Sequence, residues 1–171
     1  NSGERYPINK VESFRYYKMA ADKGNSDAMF FYAIMQNEGD GIPSNKVEAA
    51  HYFKMAAEKG NINAMCSYGV MLNNGNGIQV NKKEAAHYLK MSADLGNVNS
   101  MLYYAILLEK GDGIPVNKKE AARYSKMAAD LGNVDAMLHY SIMLSKGDGI
   151  PVNKIESARY SKMAADKGNV D

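Results

Sequence analysis

The stretch "GDGIPVNK" stands at residues 111–118 and again, unchanged, at 147–154. Close copies occupy 39–46 ("GDGIPSNK") and 75–82 ("GNGIQVNK"), and a more altered one occupies 3–10 ("GERYPINK"). The glycines keep the same step. Gly24, Gly60, Gly96, Gly132 and Gly168 are 36 residues apart, as are Gly41, Gly77, Gly113 and Gly149. A constant period of this length marks a stacked repeat architecture, in which each unit buries its apolar face only against its neighbours. Columns that stay alike from unit to unit are the ones every unit needs for packing.

Each unit predicts two helices. In "NKKEAARYSKMAAD" (117–130), Asn117 can accept from an orphan amide at the helix start, and Glu120 can reach back to it. The same pair recurs as Asn9/Glu12, Asn45/Glu48, Asn81/Glu84 and Asn153/Glu156. Such caps contribute about 0.5–2 kcal/mol each, enough to set where a helix begins. Ala121, Tyr124 and Ala128, with Ala122 and Ala129, follow helical spacing. The helix ends at Gly132, where a left-handed residue suits glycine. Asp135 is then expected to cap a shorter helix, 136–147, with Met137, Tyr140, Ser141 and Leu144 on one face. No stretch alternates with period two, so the chain is expected to be all helix.

The glycine-rich run is therefore a joint. Its glycines release one helix, its proline bars continuation, and its asparagine caps the next. A phosphate cradle needs GxxxxGK[ST], or GxGxxG after a strand, and neither is present. A calcium loop needs acids at alternating positions and a distal glutamate. One acid per loop, replaced by Asn76 in one copy and Glu4 in another, does not supply them.

Composition narrows the classes further. With 171 residues and 46% hydrophobic content the chain can bury a core, and a formal net charge of +2 gives no general case for nucleic acid. Cys66 is the only cysteine, so no intramolecular disulfide can form. No apolar run reaches the roughly 18–20 residues of a membrane span, so membrane insertion is not expected. No signal-peptide pattern opens the chain and no N-x-Ser/Thr sequon occurs, which leans toward the cytosol. The chain begins at Asn1 rather than at a methionine, as an excised fragment would.

On these residues the unit resembles the Sel-one-like repeat (SLR), a relative of the tetratricopeptide repeat. Ala136, Gly147, Gly149, Ile150, Ala158, Tyr160, Ala164, Ala165 and Gly168 match the family pattern or replace like with like. The departures are regular. Tyr140 stands for the family's leucine, Ser141 for its glycine, Leu144 for its tyrosine and Asn153 for its aspartate. The resemblance covers the whole chain, as a half unit (9–23), four units (24–59, 60–95, 96–131 and 132–167) and the start of another (168–171). It implies a right-handed superhelical α-solenoid of antiparallel helix pairs, with the shorter helix lining the concave side. It also implies an adaptor role, and no residue pattern in the chain points to an enzymatic activity or a cofactor. The subgroup of the family with a disulfide in each repeat is set aside, because this chain cannot form one.

On the shorter helix, the alike columns Met29/Met65/Met101/Met137 and Tyr32/Tyr68/Tyr104/Tyr140 read as core. The dissimilar columns at Asp27, Phe30, Ile34, Asn37 and Glu38 fall on one face, the face that tetratricopeptide-type repeats use for binding. In later units that face reads Asn63, Cys66, Val70, Asn73 and Asn74; Asn99, Leu102, Ile106, Glu109 and Lys110; then Asp135, Leu138, Ile142, Ser145 and Lys146. Its charges run from acidic (Asp27, Glu38) to basic (Lys110, Lys146), which fits a peptide with opposite charges at its two ends. Phe30, Phe31, Leu102, Tyr103 and Leu138 are the expected anchors. Asn37, Asn73 and Asn74 could bond a peptide backbone, and His139 lies near the same face. The alternative reading is that these side chains only cover gaps between units, leaving an architectural spacer or a regulatory region of a larger protein.

Other candidates are weaker. His51 and His87 share an outer column with Arg15, Arg123 and Arg159, and stacked helices about 8–10 Å apart keep two imidazoles from sharing a metal. The column Lys18, Lys54, Lys90, Lys126 and Lys162 is neutralised by an acid four residues on, which leaves little field for a nucleic acid. His139 has no evident nucleophile or paired carboxylate, and Cys66 lacks an activating base. Phe14 and Tyr17 at one end, and Ala158, Ser161, Ala164 and Ala165 at the other, read as uncovered apolar faces. They predict further repeats on both sides and head-to-tail stacking of the fragment.

Overall fold

The computed structural model describes residues 9–39 and 42–168, which form nine helices and no strand. They are α1 (Lys10–Asp22), α2 (Ser26–Glu38), α3 (Lys46–Glu58), α4 (Ile62–Asn74), α5 (Lys82–Asp94), α6 (Val98–Lys110), α7 (Lys118–Asp130), α8 (Val134–Lys146) and α9 (Lys154–Gly168). Each helix packs on its neighbours in sequence, most extensively within the pairs α2/α3, α4/α5, α6/α7 and α8/α9. The even-numbered helices form the inner row and the odd-numbered ones the outer row of an all-α solenoid.

The outer helices begin where the asparagines predict: Asn9, Asn45, Asn81 and Asn117 each accept from the amide three residues on. The inner helices correct the expectation. Asn133 rather than Asp135 caps α8, taking the Ala136 amide at 2.8 Å, so the helix starts earlier than the sequence reading placed it. The inner helices are consequently as long as α1, α3, α5 and α7, 13 residues each, and are not the shorter members of their pairs.

The motif "GDGIPVNK" does more than join helices. Gly75, Gly111 and Gly147 end the inner helices in the left-handed conformation, as expected of a glycine cap. The following glycine lies against the start of the preceding outer helix, where a Cβ on Gly113 would fall 2.3 Å from the Lys82 carbonyl carbon. Gly149 meets the Lys118 backbone in the same way. Between those glycines, Asp112 and Asp148 pair with Lys82 and Lys118 at 2.9 and 2.7 Å. The acid of one copy of the motif thus grips the lysine of the copy before it.

The core follows the alike columns. Tyr32, Tyr68, Tyr104 and Tyr140 are buried, as are Met29, Met65, Met101 and Met137. Alanines at 49/50, 85/86 and 121/122 are sealed, which lets inner and outer helices approach closely. Edge-to-face tyrosine pairs cross each pair of helices: Tyr68/Tyr88, Tyr104/Tyr124 and Tyr140/Tyr160, with centroids 5.0, 5.1 and 5.0 Å apart. Such pairs add about 0.5–1.5 kcal/mol beyond their buried area.

The lysine column is a second inter-unit clasp. Lys90 pairs with Asp94 and Lys126 with Asp130, at 2.6 and 2.7 Å, and each acid also accepts from a tyrosine of the next unit, Tyr124 or Tyr160. In the first unit Tyr52 reaches the Lys18/Asp22 pair. Burial alone would raise the Asp94 and Asp130 carboxyls, but the hydrogen bonds from lysine and tyrosine outweigh it and hold both below the usual range. A carboxyl depressed by folding stabilises fully above its unfolded value of about 3.9, and that contribution is lost as pH falls through the folded value. Acid destabilisation should therefore set in below about pH 4. An Asp94→Asn, Asp130→Asn variant should lose about 1 kcal/mol at pH 7, because both acids are half exposed and screened by solvent, and should show a flatter acid limb in urea titrations.

Phe14 and Tyr17 are not an open end. They stack on Tyr32 and Phe31 at 4.7 and 5.3 Å, and Ala164 is buried as well. Val11, Tyr16 and Met19 are the exposed large hydrophobics on α1, while Ala158 and Ala165 are exposed on α9. A head-to-tail contact would seat α1 of one copy on α9 of another, and within the chain no two outer helices pack extensively on each other. The four residues assigned to a further repeat fall largely outside the described residues.

Candidate partner-binding cleft

The inner row builds its concave surface on a ladder of amides. The cap asparagine of each inner helix donates to the helix before it: Asn61 to Asp27 (2.8 Å), Asn97 to Asn63 (3.0 Å) and Asn133 to Asn99 (3.1 Å). Asp27, Asn63 and Asn99 thus hold inner helices in register. Asn99 also reaches the cleft wall.

Below the ladder a cleft of about 340 Å³ opens between α2, α4 and α6. Ile34, Asn37, Glu38, Cys66 and Tyr103 line it, all expected from the sequence. Phe53, Ser67, Met71 and Asn76 line it too and were not expected. Glu38 is the only charged residue of its wall among the described residues. Val70 and Tyr103 lead into a smaller hollow of about 70 Å³, shared with Asn73, Asn74 and Ile106. There the Asn73 amide donates to Asn74 at 2.9 Å, while its own carbonyl oxygen is buried without a partner.

The remaining expected residues lie elsewhere. Leu102 is 9% exposed and belongs to the core, so it cannot serve as an exposed anchor. The same column is half-buried at Phe30 and Cys66. Leu138 and Ile142, on α8, are 44% and 49% exposed. Phe30 is half-buried between Phe31 and Phe53, with centroids 5.4 and 5.8 Å away. Phe31 is exposed but leans on Tyr17. Lys110 and Lys146 are exposed and do not line the cleft.

His139 also corrects the sequence reading, because its neighbours supply both a hydroxyl and a carboxylate. Its Nδ1 lies 2.9 Å from the Ser125 hydroxyl and its Nε2 lies 2.9 Å from the Glu109 carboxylate. A neutral ring protonated on Nε2 satisfies both, donating to Glu109 and accepting from Ser125. The serine is completely buried, so its oxygen has no path to a substrate carbonyl. Burial pushes the Cys66 thiol up, with only a hydrogen bond from Ser100 opposing it, the reverse of what an activated nucleophile requires. Among the described residues no group of three or more His, Cys, Asp and Glu could hold a metal. No helix there is long and apolar enough to cross a membrane.

One of the missed wall residues, Phe53, has a readable cause. Phe53, Leu89, Ser125 and Ser161 occupy one outer-helix column that differs in every pair of units but the last, and the first three meet the inner face of the following unit. Ser125 bonds His139, Phe53 shares a wall with Ser67, and Leu89 shares one with Tyr103. The pattern of differences along the outer helix was the signal that would have found Phe53.

The Sel1 repeat matches five times, at residues 2–25, 26–61, 62–97, 98–133 and 134–169. A Sel1 repeat protein from Oxalobacter formigenes superposes on 91% of this chain and 62% of its own, with a TM-score of 0.86 and 28% identity. The c5321 protein, a protective antigen present in uropathogenic Escherichia coli strains and displaying an SLR fold, covers 98% of this chain with a TM-score of 0.90 and 28% identity. This chain spans only 36% of that one. Cysteine rich protein B of Helicobacter pylori, at 21% identity and a TM-score of 0.56 over 71% of this chain and 92% of its own, shares the fold alone. A search of curated proteins gives no match. Five consecutive matches span nearly every residue, and this chain is a member of the Sel1 repeat family.

Proposed function

We propose that this chain is a non-enzymatic interaction scaffold that takes an extended partner segment in the cleft between α2, α4 and α6. Sel1 repeat proteins are generally protein-interaction scaffolds. One observation carries the finer reading: the columns that differ between units converge on this cleft, while the alike columns are sealed beneath it. Ile34, Val70 and Tyr103 offer apolar contact, and the amides of Asn37, Asn73, Asn74 and Asn76 can bond a main chain whatever its side chains. Glu38, the lone charge in the wall among the described residues, favours a segment with a basic residue at that end.

Peptides selected by display against the intact chain test this reading. Their binding should weaken about thirtyfold, or about 2 kcal/mol, in a Tyr103→Ala, Asn37→Ala variant. It should be unchanged in Leu138→Ala, whose side chain lies outside the cleft. Selected peptides that bind the cleft variant as tightly as the parent would remove the cleft from the function and leave the chain a spacer.

A further inference from the structure

The outer face carries two equivalent pockets, one repeat apart and each about 470 Å³. That volume is typical of small-molecule sites. One lies along α5 with Tyr104 and Ile114 at its foot; the other lies along α7 with Tyr140 and Ile150. Buried Ala86 and Ala122 and the stems of Lys90 and Lys126 make the walls largely apolar.

Each foot presents an unpartnered hydroxyl. Tyr104 and Tyr140 are only 6% exposed, and no described residue hydrogen-bonds their phenol oxygens. The first unit shows the contrasting arrangement. There the Tyr32 hydroxyl donates to Glu48 at 2.8 Å and accepts from Gln36 at 2.9 Å, and Gln36 also donates to Glu48 at 3.1 Å. Leu108 and Leu144 stand where Gln36 does, so they leave the equivalent hydroxyl without its amide. Each hydroxyl reaches solvent although its ring is buried, so it is free to exchange water for a polar atom of a ligand.

The rims add charge. Lys83 and Lys119 have no ion-pair partner among the described residues, whereas Lys90 and Lys126 are engaged by Asp94 and Asp130. The glutamate of each pocket is turned to its helix cap: Glu84 accepts from Asn81 at 2.9 Å and Glu120 from Asn117 at 3.2 Å. Each pocket therefore offers an apolar body, a phenol at the bottom and an unpaired ammonium at the top. We propose that these two outer pockets bind small amphiphilic anions, with a ring or short chain between a polar group that meets the tyrosine hydroxyl and a carboxylate that meets the lysine.

The probe 6-hydroxy-2-naphthoate has that form. Titrated into the intact chain, it should shift the methyl resonances of both Ile114 and Ile150 saturably. A Lys83→Gln, Lys119→Gln variant should bind about tenfold more weakly, as should the uncharged carboxamide of the probe with the parent chain. Leu108→Gln with Leu144→Gln, which copies the first unit, should abolish the shifts while keeping the fold. A Tyr103→Ala variant should bind the probe unchanged, which separates this site from the concave cleft. Shifts that never saturate, or a midpoint indifferent to the two lysines, would overturn the proposal.

Discussion

Gly113→Ala is expected to cost about 3 kcal/mol, one of the two largest losses predicted for a single substitution in this chain. Two effects add at this position. Gly113 has φ +76°, a left-handed conformation that disfavours an L side chain by about 1–2 kcal/mol. Its Cβ would also fall 2.3 Å from the Lys82 carbonyl carbon, and backbone cannot step aside as a flexible side chain can. The loop would have to lift off α5, with a strain cost of about 1–3 kcal/mol and loosening of the Lys82–Asp112 pair. Gly96→Ala supplies the comparison. It shares the positive φ, at +97°, but has nothing within 4 Å, so it should cost only about 1 kcal/mol. Equal urea midpoints for the two variants would show that the close approach of the loop has no energetic weight.

Tyr124→Ala should cost about 3–5 kcal/mol. The ring is 1% exposed, sits edge-to-face on Tyr104, and carries the Arg123 guanidinium 4.2 Å from its centroid. Its hydroxyl donates to Asp94 in the unit before. Tyr124→Phe keeps the ring and removes only that bond, so it should cost about 1–2 kcal/mol. The difference between the variants measures how much of the coupling between units is packing and how much is the hydrogen bond. Each unit of a solenoid leans only on its neighbours, so the alanine variant should also lower cooperativity and reduce the denaturant slope. A loss below about 1 kcal/mol for Tyr124→Ala would mean that the tyrosine column does not hold the stack together.

The two proposed uses of the surface are independent. The concave cleft is built from what differs between units, whereas the outer pockets are built from what recurs, with Leu108 and Leu144 in place of Gln36 leaving their tyrosines open. A failure of one leaves the other standing.

Period, caps and core were legible before any coordinates. A helix start is a local event, so asparagine three residues before glutamate is enough to place it, and Asn9, Asn45, Asn81 and Asn117 cap where expected. Asp135 was misplaced as a cap for an equally local reason: two side chains in "GNVDAM" can cap, and the choice of Asn133 goes with its second bond, to Asn99 of the unit before. Where the alike tyrosines and methionines lie was legible because every unit must solve the same packing problem.

What the units do to one another was not legible, because it depends on distances between residues some thirty positions apart. That Lys82 reaches Asp112, that Ser125 sits under His139, and that Leu102 is covered while Leu138 is open all follow from the step between units. Sequence alone settled that this chain is a stack of helix pairs, since short-range capping and a regular apolar pattern suffice for that. Only the packed solenoid decided which of the variable side chains face solvent, because burial is set by the neighbour that a residue meets in space and not by the residue itself.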